Sequence, residues 1–302
     1  MNLLIVGTVA YDAIETPYGK TDKILGGAAT YIGLSASALG VKSSIVSVVG
    51  DDFEQKNIDL LNNKQVNTQG IEVVKGGKTF FWSGKYHENM NFRDTLVTEL
   101  NVLENFSPKV PDEFKSPSVV MLGNLAPKVQ ELALTQLNQK PTLTVLDTMN
   151  FWMDHTWDDL IEVIKMVDVL TINEEESRQL ADEQNILIAA KKILTMGPKF
   201  VLIKRGEYGA ILFGENKIFS VPALPLEKVI DPTGAGDTFA GGFVGYLTKT
   251  QDFSFRNMKK AVIYATVLAS FCVEQFGTEG LLKVSETQLQ ERIDLYKEIS
   301  GF

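Results

Sequence analysis

The sequence predicts an α/β fold: a mostly parallel sheet with helices between its strands, interrupted once by an antiparallel insertion. Three observations carry that prediction. Short, nearly continuous apolar runs such as Leu3–Gly7, Ser44–Gly50 and Val119–Gly123 read as strands buried on both faces. Segments with helical apolar spacing separate most of them, the β-α-β-α alternation of a parallel sheet. Between Gly70 and Thr98 the alternation stops, and strand-like runs follow one another with glycine pairs and no helix.

Taken in order, Leu3–Gly7 is the first strand, and Asp12 follows it closely. Open α/β sheets bind ligands beyond the carboxyl ends of their strands, so Asp12 is a candidate contact for substrate hydroxyls; a solvated loop aspartate is the plainer reading. Gly26-Gly27-Ala28-Ala29 opens a helix to about Leu39 whose small residues (Gly33, Ser35, Ala36, Ser37, Ala38) allow close approach to a sheet. Ser44–Gly50 is the second strand and Phe53–Asn63 has helical spacing. The insertion comprises Ile71–Val74 and Thr79–Tyr86, joined by strand from Tyr11 to Leu25, so lid strands fall within about 11–25 and 70–98. Its aromatics (Phe80, Phe81, Trp82, Tyr86, Phe92) suit packing within a lid or stacking on a flat ligand. Alternation then resumes with strands Val119–Gly123, Leu143–Asp147, Val169–Ile172, Phe200–Ile203 and Ala210–Phe213. Helices are expected over Val129–Leu137, Asp158–Val167, from Asn173, over Ile186–Leu194, and near 254–273 and 285–299. No repeat, low-complexity segment or linker divides the chain, so residues 1–302 are expected to form a single domain.

Composition excludes several classes. With 44% hydrophobic and 22% charged residues among 302, the chain has material for a sizeable core. A net charge of −9 argues against a nucleic-acid partner, because no basic face is available for phosphates. One cysteine, Cys272 in an apolar run, makes no internal disulfide, and two distant histidines, His87 and His155, offer no zinc spacing. The first residues lack a basic n-region and the longest apolar segment, Val262–Val273, is too short to span a bilayer, so a cytoplasmic protein is expected.

The chemistry gathers at Val229-Ile230-Asp231-Pro232-Thr233-Gly234-Ala235-Gly236-Asp237-Thr238-Phe239. A glycine-bearing loop entering a helix points backbone N–H groups at one spot, with the positive end of the helix dipole behind them. Asp237 at that mouth is either an N-cap, stabilising the helix by roughly 0.5–2 kcal/mol, or a carboxylate acting on the group that attacks a phosphate. Two further strand ends carry polar groups. Asn173-x-x-Glu176 reads as a capping box or as ligands for the waters of Mg²⁺. Lys204-x-Gly206-x-x-Gly209 can line a polyphosphate. Other phosphate motifs fail: Gly19-Lys20-Thr21 and Gly77-Lys78-Thr79 lack the first glycine of a P-loop, and Gly234-x-Gly236 has Phe239 where a dinucleotide fingerprint needs glycine. No G-x-S-x-G elbow or protein-kinase set is present.

Asp231–Phe239 resembles the C-terminal signature of the ribokinase-like, or PfkB, family of sugar and nucleoside kinases. The resemblance runs over nearly the whole chain, taking in Asp12, the Gly26-Gly27 pair, the strand insertion, Asn173-x-x-Glu176 and Lys204-x-Gly206 in the family's order. It implies a three-layer α/β/α sandwich with a mostly parallel sheet and a β lid, and ATP-dependent phosphoryl transfer to an alcohol, usually a hydroxymethyl group. By that resemblance Asp237 is the base, and the Gly234–Asp237 loop, through the amides of Ala235, Gly236 and Asp237, is the anion hole. Asn173 and Glu176 serve Mg²⁺ and phosphate, while Lys204, Gly206, Gly209, Thr233, Gly234 and Gly236 lie by the nucleotide. Asp12, Gly26, Gly27 and position 31 face the substrate, and many members carry a monovalent cation such as K⁺ near Asp231 and Thr233. A homodimer through an exposed lid edge is a further expectation.

Departures bear on the acceptor. Tyr31 stands where many members have asparagine, Gln55 ends a G-x-D-x-x-G stretch, and Asp147-Thr148-Met149-Asn150-Phe151-Trp152 lacks the arginine of the usual D-x-N-x-R. Without that arginine an acidic sugar loses its bidentate partner, leaving Lys85 and Arg93 as lid cations. A sugar phosphorylated at a hydroxymethyl group is the first reading of the acceptor. A nucleoside is the alternative, on Tyr31 and the aromatic lid, and a nucleotide-binding protein without turnover is a third reading.

Overall fold

The first strand, β1 (Leu3–Val6), lies near the middle of a nine-stranded sheet and is buried along its whole length, which is why it reads as an unbroken apolar run. The computed structural model describes residues 2–301. After β1 come three lid strands, β2 (Ala10–Thr16), β3 (Gly19–Lys20) and β4 (Ile24–Gly26), then α1 (Ala28–Ala38), β5 (Ser43–Gly50), α2 (Gln55–Asn63) and β6 (Val66–Val74). A hairpin, β7 (Phe81–Tyr86) and β8 (Arg93–Glu99), follows. The second half runs β9 (Val119–Leu122), α3 (Pro127–Thr135), β10 (Leu143–Asp147), α4 (Asn150–His155), α5 (Trp157–Met166), β11 (Val169–Asn173), α6 (Glu174–Ala181), α7 (Ile186–Leu194) and β12 (Phe200–Lys204). It closes with β13 (Ala210–Gly214), β14 (Lys217–Val221), α8 (Ala235–Thr250), α9 (Phe255–Val273), α10 (Glu279–Leu282) and α11 (Glu286–Ser300).

The large sheet has the order β14-β13-β12-β11-β10-β9-β1-β5-β6, parallel from β12 to β6 and antiparallel at the β13–β14 edge. Strand alternation splits its side chains between two cores. Leu3 and Ile5 pack with α1, α8, α9 and α11, whereas Leu4 and Val6 pack with α5, α6 and α7. The layers are therefore α/β/α, as the resemblance implies.

The insertion differs from its expected form in two ways. Ile71–Val74 belongs to β6 and pairs parallel with β5 (Ile71 opposite Ser47, Val73 opposite Val49), so residues 70–74 sit in the large sheet and not in the lid. The α2 crossover makes β5-α2-β6 a βαβ unit, which sends β6 alongside β5 in the same direction. The lid, ordered β3-β2-β7-β8 with β4 beside β2, is also mixed: β2 and β7 pair parallel, Tyr11 opposite Phe81, while β2–β4 and β7–β8 are antiparallel. Strands leaving the carboxyl ends of the parallel β1 and β6 run the same way, which the local strand pattern does not reveal.

The small residues of α1 serve a helix as well as the sheet. A Cβ at Gly33 would meet Val66, but a Cβ at Gly241 would lie 2.5 Å from Ile32 O, and one at Gly245 3.0 Å from the Ala36 Cα. Ser35 Oγ donates to Thr238 O at 2.7 Å within this contact. Helices α1 and α8 are thus locked backbone to backbone, with their N-termini at the same end.

Candidate active site

Helix α8 begins at Ala235 with Gly234 as N-cap in the left-handed region, φ 73°. Asp237 is the third helical residue and its side chain caps nothing. Its carboxylate is therefore not consumed by the role that a local reading gives it. Among the described residues the N–H groups of Gly234, Gly236 and Asp237 have no acceptor, whereas that of Ala235 donates to Pro232 O at 3.1 Å. The free donors at this helix end are those of Gly236 and Asp237, with Gly234 before them, and not that of Ala235 as expected.

The loop is braced from below and above. Buried Asp231 accepts the Thr233 N–H at 2.9 Å on one oxygen and the Gly277 N–H at 2.8 Å on the other. A monovalent cation at Asp231 would have to share those oxygens. Thr233 Oγ1 lies 3.1 Å from the hydroxyl of Tyr86, which reaches across from β7. Cys272 is buried behind Thr233, and burial pushes its thiol up to about 12, so it stays a neutral packing residue.

Facing the loop is Asp12 on β2, buried at 5% exposure. Gly26 is required by it, since a Cβ there would stand 2.0 Å from Asp12 Oδ2. Gly27 has φ +92 and would put a Cβ 2.5 Å from Thr8 O. Tyr31 is only 1% exposed, and its ring lies against Gly234. The side chain expected at the substrate is packed beneath the anion loop.

On the other side, Asn173 and Glu176 form a capping box: Asn173 Oδ1 accepts the Glu176 N–H at 2.8 Å, and Glu176 Oε2 accepts the Asn173 N–H at 2.7 Å. That leaves one Glu176 oxygen and the Asn173 amide group for water or phosphate. Lys204 Nζ is paired with buried Asp147 at 2.9 and 3.1 Å, and a Cβ at Gly236 would lie 3.3 Å from it. The pair thus stands directly behind the anion loop. Asp147, met in the sequence only as the start of the altered D-x-N-x-R stretch, is the partner that fixes Lys204 from the end of a buried central strand. Gly206 needs its φ of +55, and Gly209 is explained by packing, since a Cβ would lie 1.9 Å from Val221 O.

The lid contributes one cation. Lys85 is committed to Glu15 at 2.6 Å on the outer side. Arg93 pairs with Tyr86 across the β7–β8 ladder, so both side chains leave the same face of the lid. Its guanidinium lies over Trp82, 5.6 Å from the ring centre, and its charge is felt by Asp237 and Glu176.

These groups set each other's protonation. Burial and then Asp147 raise the Asp237 carboxyl to about 7, against the pull of Lys204 and Arg93. Burial, Asp231 and Asp237 raise Asp12 to about 7. Burial also raises Glu176 to about 7, Lys204 pulling it down and Asp147 pushing it up. Lys204 itself is held above its ordinary value: burial opposes its charge, but Asp147, Glu176 and Asp237 outweigh that. Such a set awaits cations and anions together. Among the described residues no three His, Cys, Asp or Glu side chains converge as a cage. That donor set fits Mg²⁺, which keeps its waters and leans on one or two carboxylates plus phosphate.

The model of the pfkB family carbohydrate kinases matches residues 2–283. A cytidine kinase of Thermococcus kodakarensis is 30% identical over 251 residues, 82% of this chain and 88% of that protein. The nucleoside kinase of Methanocaldococcus jannaschii has a solved structure with a TM-score of 0.78, at 20% identity, covering 97% of this chain and 98% of that one. The nucleoside kinase of Burkholderia thailandensis, solved in complex with inosine, superposes with a TM-score of 0.77 at 18% identity, covering 97% and 96%. No described helix is long and apolar enough to cross a membrane.

Proposed function

The chain belongs to the pfkB family of carbohydrate kinases, phosphotransferases that act on hydroxyl groups, and from that premise we propose that it phosphorylates the hydroxymethyl group of a nucleoside with ATP and Mg²⁺. The observation that carries the transfer chemistry is Asp237, uncommitted to capping, beside the free N–H groups of Gly236 and Asp237. Asp237 takes the proton of the acceptor hydroxyl as its oxygen bonds to the γ-phosphorus and the bond to the ADP oxygen breaks. The two N–H groups and the Arg93 guanidinium stabilise charge on the transferring phosphoryl. Lys204, fixed by Asp147, supplies positive charge behind Gly236. Asn173 and Glu176 would hold Mg²⁺ through water, and the ion, when bound, offsets phosphate charge. Gly206 and Gly209 border the nucleotide side.

A nucleoside is favoured because relatives named cytidine kinase and nucleoside kinase match most of the chain. A free sugar is the second reading, since Asp12 and Gly27 would hold ribose hydroxyls in either acceptor. An ATP-consumption screen over cytidine, adenosine, inosine, ribose and fructose is expected to find turnover with a nucleoside. Activity on free sugars alone would end the nucleoside reading, and tight ATP binding with no turnover would leave the non-catalytic one.

We also propose that two copies associate through the lid. β8 is its edge strand, every residue of it is exposed, and Leu96 is 53% exposed with Phe92 beside it at 67%. Light scattering should give the mass of a dimer; a monomer mass dismisses the lid interface.

A further inference from the structure

Tyr31 has no role in the reading above, and its surroundings supply one. The side chain is 1% exposed, yet its hydroxyl has no hydrogen-bond partner among the described residues. Asp12, Cys272, Asp231 and Asp237 surround it, and burial with those charges holds the phenol well above its ordinary value, so it stays neutral. No hydrogen bond of that hydroxyl accounts for a tyrosine here, and it is the ring that touches the loop. The ring's contact is specific. A Cβ added to Gly234 would stand 2.4 Å from Tyr31 Cε1 and 2.5 Å from both Cδ1 and Cζ. The aromatic face therefore fills the space directly under the one loop residue that must hold φ +73.

Tyr31 can hold that position firmly because its helix cannot move independently of α8. The Gly241 and Gly245 contacts and the Ser35–Thr238 hydrogen bond fix α1 against the first turns of α8. Ring, N-cap and catalytic helix form one packed unit.

We infer that Tyr31 is a positioning residue: its ring, in place of a substrate contact, sets the backbone of Gly234 and so the aim of the Gly236 and Asp237 N–H groups at the transferring phosphoryl. This rests on the phosphotransfer reading only for its kinetic readout. An aromatic plate under a glycine restrains a loop without adding polar groups to the acceptor pocket. Misplacement of such donors by about 1 Å costs on the order of 10²-fold in rate.

The test compares Tyr31→Phe with Tyr31→Leu in the full chain. Tyr31→Phe should keep kcat within about threefold, since the ring remains, whereas Tyr31→Leu should lose about 10²-fold in kcat with little change in KM for ATP or acceptor. Hydrogen exchange gives a readout independent of turnover, because Ala235 and Thr238 donate within this loop, to Pro232 O and Gly234 O. Their exchange should speed up by about tenfold or more in Tyr31→Leu and stay unchanged in Tyr31→Phe. Equal kinetic losses in both variants, or a raised acceptor KM with kcat intact, would make Tyr31 a substrate contact through its hydroxyl and overturn the inference. So would unchanged exchange of Ala235 and Thr238 in the leucine variant. Failure of the kinase reading shows separately, as wild-type protein without turnover in the acceptor screen.

Discussion

Asp237→Asn is expected to lower kcat by at least about 10²-fold, the scale of a lost general base, and at the same time to make the protein more resistant to heat at pH 8. The second effect follows from burial. The Asp237 carboxyl is raised to about 7 in the folded protein, so the native state holds a proton that the unfolded chain releases near its ordinary value of 3.8. Between those two values the folded state binds more protons than the unfolded state, and stability falls as pH rises through that window. An amide at position 237 removes that loss. The variant should therefore gain thermal stability at pH 8 but not at pH 4, where both forms are neutral in the native state. A purely structural carboxylate would lose stability on replacement, with activity following. In the wild type, kcat/KM should rise with pH through about 7 as Asp237 becomes able to accept a proton. Full activity of Asp237→Asn would remove this residue from the chemistry.

Arg93→Ala should cost about 10²- to 10³-fold in kcat, below the range for an arginine finger because backbone N–H groups share the load. Arg93 stands opposite Tyr86, whose hydroxyl touches Thr233 of the anion loop, so the lid brings the cation to the phosphoryl side. Arg93→Lys keeps the charge but not the planar fork, and should recover only part of the rate. Lys85→Ala is the control, since Lys85 is paired with Glu15. Steady-state kinetics separate the outcomes: a rise in acceptor KM with kcat unchanged would make Arg93 a substrate contact.

Much of the fold was legible because buried parallel strands and amphipathic helices leave periodic patterns. β1, β5, β9 to β13 and the long helices α9 and α11 fall where apolar spacing puts them. What escaped was long-range pairing. β6 reads like the lid strands that follow it, and only the α2 crossover assigns it to the large sheet. α4 was hidden inside a stretch compared with a motif, and the edge strand β14 has few buried residues to mark it. The backbone geometry of the candidate site was legible where a motif demands it, as at Gly26, Gly27 and Gly234. The site was illegible where function depends on which partner a side chain meets. Lys204 reads as a polyphosphate contact, and its pairing with Asp147 is not visible in the sequence; Tyr31 reads as a substrate contact, and its packing against Gly234 is not visible there either.

The parallel pairing of β2 with β7 has a consequence for the order of folding. Tyr11 and Phe81 are neighbours in the lid, yet α1, β5, α2 and β6 lie between them in the chain. Closing so long a loop early is entropically unfavourable, and no local hairpin can substitute for it. The lid can assemble only after the β1–β5–β6 part of the large sheet has brought its two roots together. In a refolding experiment, backbone protection in β2 and β7 should follow that in β1 and β5, and the acceptor pocket should be the last part of the protein to become competent.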